Sequence, residues 1–156
     1  MIQAKRVFEI VGLGLLIAVV WLGATGCQSF SSSTNSLTSV AITNRPMADV
    51  QAAVTKVFTE HAFAEVLSEG NKFTFSRAGT SSDQIAYGSH LFQRPVTVRV
   101  VVNTRQQAPN SIEVSCNAWV IEAENDPMFQ ELHPVRYFGR GPYEELLEKV
   151  QAELGE

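Results

Sequence analysis

Two stretches of strict alternation constrain this chain more than anything else in it. Val96, Val98, Val100 and Val102 alternate with Thr97, Arg99, Val101 and Asn103, and the pattern returns at Ile112, Val114, Cys116, Ala118 and Val120. Successive side chains of a strand point to opposite faces, so a period of two describes a ribbon with one apolar and one more polar face. Strands are predicted over Pro95 to Arg105 and Ser111 to Glu122. Between them Gln106 to Asn110, with its Pro109-Asn110 pair, predicts the turn of an antiparallel hairpin. An apolar sheet face must be covered by a second layer.

Two helical segments can supply that layer. Pro46 suits the first turn of a helix, and Met47, Val50, Val54, Val57 and Phe58 recur at the spacing of one helical face that His61 continues, which predicts a helix over 46–61. Pro142 opens a second helix whose stripe is Tyr143, Leu146, Leu147, Val150 and Leu154, with Glu144 and Glu145 at its positive end. Leu37 to Ile42 predicts a first strand, stopped at Asn44-Arg45-Pro46, and Lys72 to Arg77 another, with Phe73 and Phe75 on one face after the turn Glu69-Gly70-Asn71. Ala62 to Ser68 fits a continued helix or a chain bending back. Gln84 to Phe92 fits a short helix or an edge strand bearing Ile85 and Tyr87. The expectation is a single α+β domain over 37–156, a two-layer sandwich of a mainly antiparallel sheet with two helices on one face.

The front of the chain is of another kind. Lys5 and Arg6 precede the uncharged run Ile10 to Leu22, and no further charge appears before Arg45. A basic start, a short apolar run and small residues after it are the parts of a secretory signal peptide. Ile10 to Gly26 is 17 residues with four glycines, short of the about 20 apolar residues a membrane-crossing helix needs. The run ends in Gly23-Ala24-Thr25-Gly26-Cys27, which resembles the lipobox of bacterial lipoproteins, with Ala24 where that family most often has Leu. The resemblance implies a signal peptide over 1–26, cleavage before Cys27, and acyl chains on the Cys27 sulfur and the new amino group. Two or three acyl chains at about 0.8 kcal/mol per buried methylene make a stable anchor. Gln28 stands where inner-membrane members often carry Asp, which implies the outer membrane if the source is Gram-negative. Ser29 to Ser36 is polar and uncharged, so residues 27–36 read as lipidated cysteine plus flexible tether.

Charge narrows the partners. The chain has 12 basic and 16 acidic residues, and without Lys5, Arg6 and Glu9 the balance is still more acidic, which disfavours nucleic acid. With Cys27 acylated, Cys116 has no disulfide partner and reads as a buried, inert thiol. His61, His90 and His133 lie far apart. Glu122, Glu124, Asp126, Glu131 and His133 crowd one segment whose donors could hold a divalent ion, but an acidic loop is usually solvated, and no metal or cofactor is assigned. Gly139-Arg140-Gly141 reads as the turn into a helix, because Glu144 and Glu145 already occupy the place an anion would take.

The candidate surface is the second face of the hairpin. With the turn centred near Ala108, Asn103 lies opposite Glu113, Val101 opposite Ser115, Arg99 opposite Asn117 and Thr97 opposite Trp119. Arg99 is then diagonal to Trp119, and Val101, Trp119 and Ile121 form an apolar patch rimmed by Arg99, Arg105 and Glu113. The segment Phe129 to Phe138 could instead fold over that face. The expected function is that of a lipid-anchored envelope protein acting as a non-enzymatic binding or assembly module, with an envelope protein as partner, through this face or through 125–141. The alternatives are an envelope hydrolase, which a concave pocket holding Cys116 or His133 with a base would favour, and a carrier of a lipid or small apolar ligand. The anchor has a direct check: Cys27→Ser is expected to remove the acyl mass increment and leave uncleaved precursor, and a lipidated Cys27→Ser product would refute the assignment.

Overall fold

A computed structural model describes residues 36–88 and 94–155, which belong to one compact unit, Ser33–Glu156. The signal segment, Cys27 and His90 lie outside the described residues. The chain forms β1 (Thr38–Thr43), α1 (Met47–Glu60), β2 (Ala64–Glu69), β3 (Lys72–Ala78), α2 (Ser81–Tyr87), β4 (Val96–Ala108), β5 (Ser111–Glu122), β6 (Glu131–Pro134), a 3-10 turn (Tyr137–Gly139) and α3 (Gly141–Glu153). The strands make one antiparallel sheet in the order β1-β5-β4-β3-β2, with β6 also paired to β5. The fold is α+β, with α1 and α3 on one face of the sheet.

The alternation decides which face the helices cover. Val96, Val98, Val100 and Val102 of β4 and Ile112, Val114, Cys116, Ala118 and Val120 of β5 are buried in one core cluster with Val50, Val54, Val57 and Phe58 of α1 and Tyr143, Leu146, Leu147 and Val150 of α3. Phe58 is its aromatic centre. Its ring stacks on Phe75 at 4.7 Å between centroids and meets Phe63 edge-on at 5.6 Å. Such pairs add about 0.5–1.5 kcal/mol to the burial of the rings themselves.

The two ambiguous segments resolve through local backbone chemistry. Ala62 takes the left-handed conformation (φ 64°), so α1 ends and the chain turns back as β2, which forms a hairpin with β3 around Gly70 (φ 58°). Every residue of β2 is exposed, Val66 and Leu67 included. Only pairing to β3 marks it as a strand, since it has no buried alternate set. Residues 81–87 form the short helix α2, started by a capping box. The Asp83 N–H donates to the Thr80 hydroxyl oxygen at 3.2 Å, and the Thr80 N–H donates to the Asp83 carboxylate at 2.8 Å. Arg77 donates to the same carboxylate at 3.0 Å while its guanidinium lies 5.2 Å from the Phe63 ring centroid, which ties α2 to the sheet. Burial pushes the Asp83 carboxyl up, but the Thr80 N–H and hydroxyl and the Arg77 guanidinium outweigh it and hold the carboxyl below its ordinary value.

The predicted hairpin is present with its register moved by two residues. Its turn lies at Pro109-Asn110 with an irregularity between Gln106 and Ala108, so Arg99 pairs with Trp119, Val101 with Asn117, Asn103 with Ser115 and Arg105 with Glu113. A slip of two preserves every facing, because the side-chain period is also two. Phe58→Ala is expected to cost about 3–5 kcal/mol in urea unfolding, against less than about 0.5 kcal/mol for the exposed Val66→Ser; equal effects would mean that the aromatic cluster is not the core.

Candidate functional site

The sheet face away from the helices carries all four residues predicted as a binding surface, but they do not form an open apolar patch. Arg99, Val101 and Trp119 are half-buried, whereas Ile121 is fully buried. Arg99 forms an ion pair with Glu124. The rest of the face is polar, with Thr74, Ser76, Asn103, Ser115 and Asn117 around Val101. Arg105 donates to the buried Glu113 at 2.8 Å. The apolar content of this face is Val101, Trp119 and the buried Ile121, continued on β6 by Pro134 and the exposed Leu132, which pair with Trp119 and Ile121.

Trp119 belongs to a second feature. The outer edge of β5 is shared: β1 pairs with Ser111 to Cys116, and β6 pairs with Trp119 to Glu122. At the seam the Leu37 N–H donates to the Cys116 carbonyl and to Asn117 Oδ1, each at 2.9 Å, and the Val135 N–H donates to the Ala118 carbonyl at 2.9 Å. Ser36, Leu37, Asn117, Trp119, Pro134 and Val135 line a cleft of about 390 Å³ there. Ser36, the first described residue, therefore lies beside the end of β6.

The segment 123–141 is the most distinctive part of the surface. Ala123 takes the left-handed conformation (φ 52°), and the Asp126 and Phe129 N–H groups donate to the Ala123 and Asp126 carbonyls at 2.8 and 3.0 Å, which turns the chain so that β6 returns along β5. Within Phe129 to Phe138, Glu131–Pro134 therefore extends the sheet at its edge instead of folding over the second face. The segment exposes large apolar side chains: Met128 at 84%, Tyr137 at 63% and Phe138 at 100%, with Phe129 and Leu132 also exposed. Arg140 stacks on Tyr137 at 3.8 Å from the ring centroid and pairs with Glu144 at 2.9 Å, as a turn leading into α3 requires. Gly139 is needed here, since a Cβ would stand 2.8 Å from Val135 Cγ1 and 3.4 Å from the Tyr87 hydroxyl.

Behind β6 lies a cavity of about 460 Å³ lined by Tyr87, Gly88, Arg94, Glu122, Phe129, Glu131 and His133. Of the acidic residues that crowd this stretch of sequence, the fold brings Glu122 and Glu131 together with His133 and separates the others. Glu124 turns to Arg99, and Asp126 Oδ1 accepts from the Met128 N–H at 3.2 Å. Tyr87 and Arg94 line the cavity from the end of α2 and from the chain just before β4. Neither is legible as a site residue in the sequence, because nothing in their sequence neighbourhood pairs them with β6.

The other reactive groups are held in place. Burial pushes the Cys116 thiol up to about 12, so it carries essentially no thiolate near neutrality. His61 Nδ1 lies 2.7 Å from the Val57 carbonyl and Nε2 lies 2.9 Å from Lys149 Nζ, so the imidazole fastens the end of α1 to α3. No helix among the described residues is long and apolar enough to cross a membrane. No family model matches the chain, and no curated protein matches it in sequence.

In the Cys27→Ser chain, where Cys116 is the sole thiol, a thiol reagent is expected to react only as fast as the sheet opens and at once in denaturant. Rapid modification of the folded chain would put the sulfur at the surface.

Proposed function

We propose that this chain is a lipid-anchored bacterial cell-envelope protein, at the outer membrane where the source is Gram-negative, that acts as a non-enzymatic binding or assembly module for another envelope protein. The observation that supports it is the group of exposed apolar side chains at Met128, Phe129, Leu132, Tyr137 and Phe138. Large aromatic groups left in water at one end of a sheet are the composition of an interface core, where aromatic and methionine side chains are enriched. The binding surface is accordingly placed on 125–141, whose exposed Leu132 lies beside Ile121 on the second sheet face. A tether joined at Ser36, beside Pro134 and Val135, would hold this same edge near the anchor.

A second reading, an envelope hydrolase, draws support from the cavity that sets His133 beside Glu131 and Glu122. The carrier reading has less, since Phe58, Phe75, Val98, Val100 and Leu147 are fully buried between the layers. A photo-crosslinking amino acid at position 138 in cells distinguishes them. The binding reading expects one discrete protein adduct from position 138, none from position 48 on the exposed side of α1, and its loss in the Tyr137→Ser variant without a change in melting temperature. Adducts to lipid alone, or to no macromolecule, would overturn the binding reading.

A further inference from the structure

We propose that the cleft at the seam between β1 and β6, with the strand face beside it, binds a neutral oligosaccharide. The site goes beyond the protein-binding role proposed above and does not depend on it. The cleft has a volume of about 390 Å³, and Leu37, Asn117, Trp119, Pro134 and Val135 are among its walls. Ligand pockets run from about 300 to 1,000 Å³, so the space suits part of a short sugar chain, with the remainder lying on the face. Trp119 joins the two, since it stands on the second sheet face between Arg99 and Pro134 in the pairing and also lines the cleft.

Trp119 is the anchor, and it is half-buried. An indole offers a broad apolar surface and one N–H donor, so the C–H face of a pyranose packs on it while the sugar hydroxyls reach polar groups at the sides. Those groups are in place. The Leu37 N–H donates to Asn117 Oδ1 at 2.9 Å, which fixes the amide and leaves Nδ2 with no partner among the described residues. In successive rows of the same face Asn117 pairs with Val101 and Ser115 with Asn103, while Ser76 lies opposite Arg99. The side chains of Asn103, Ser115 and Ser76 make no hydrogen bond among the described residues.

A polar outer face alone is what any one-sided antiparallel sheet presents to water. Charge sets this site apart. The chain is net acidic, yet no charged residue lines the cleft, and the two arginines of the adjoining β4 face are paired within the protein, Arg99 with Glu124 and Arg105 with Glu113. An ion finds no counter-charge there. A purely apolar ligand would strip water from Asn117 Nδ2 without replacing its hydrogen bond, which costs more than the contact returns. A neutral ligand with C–H groups on its faces and hydroxyls at its rim matches both features. The donors stand on paired strands, so little ordering opposes binding.

The test uses the full chain, purified in a detergent without a sugar headgroup and titrated by calorimetry with chitotetraose, cellotetraose and maltotetraose. At least one of the three is expected to bind, at one site per chain. In the unaltered chain, saturation-transfer NMR should place the ring C–H protons of that sugar against an aromatic group, a readout independent of any substitution. Trp119→Ala should weaken binding at least about tenfold, and Trp119→Phe should recover most of the loss. Asn117→Asp keeps the acceptor for the Leu37 N–H and removes the Nδ2 donor, so it should weaken binding while circular dichroism matches the parent. Phe138→Ser, on the proposed partner surface, should leave sugar binding unchanged, so the two readings fail separately. Binding of none of the three sugars, or undiminished binding by a folded Trp119→Ala chain, would overturn the site.

Discussion

The outer edge of β5 is the constraint on which the rest of this structure depends. β5 is 12 residues long and β4 satisfies one side of it, but the other side is a row of backbone donors and acceptors that one short strand cannot fill. The chain closes that edge twice, with β1 along Ser111 to Cys116 and β6 along Trp119 to Glu122. The two coverings come from opposite ends of the domain, and where they meet, Asn117 supplies a side-chain acceptor to the Leu37 N–H. The seam, the return of the chain at Ala123 and the position of His133 all follow from that division.

The same division separates stability from candidate chemistry. One face of β4 and β5 is covered by α1 and α3 around Phe58 and Phe75, in an apolar cluster whose titratable groups are the Tyr143 hydroxyl and the inert Cys116 thiol. Polar and titratable groups gather instead where β6, α2 and the start of β4 converge. Strands hold side chains more rigidly than loops, so the groups on β5 and β6 are better defined than their sequence segment suggests. The large exposed side chains on the same segment put the candidate cavity and the candidate partner surface next to each other.

Legibility in the sequence follows the strength of burial. β4, β5, α1 and α3 each present a buried set at a regular period, and that period alone assigns Val98 and Leu147 to the core. β2 has no such signal, since Ala64 to Glu69 is exposed throughout and becomes a strand only by pairing with β3. α2 is half legible: its hydrophobic content fits either element, and the deciding signal is the Thr80–Asp83 capping box. The hairpin register differs by two from the sequence expectation because the turn lies at Pro109-Asn110 instead of being centred near Ala108. Ile121 sits on the expected face, but its burial is not legible, because no local pattern distinguishes it from the half-buried Trp119 two residues before it on the same face. For the site, Glu122, Glu131 and His133 are recognisable as donor types, but so are Glu124 and Asp126, and only the fold separates the two groups.

Local periodicity, acting over a few residues, is enough by itself to determine the fold class, the facing of the two long strands, the stripes of both packed helices and the inert setting of Cys116. Parity along a strand survives errors of register, which is why those inferences hold even where the pairing differs. Tertiary structure alone decides that β6 shares an edge with β1, that Glu122 meets Glu131 across a ladder, and that Tyr87 and Arg94 close a cavity over His133. Those outcomes depend on which distant segment satisfies the free edge of β5, a backbone requirement that many side-chain sequences could meet and that no local pattern encodes.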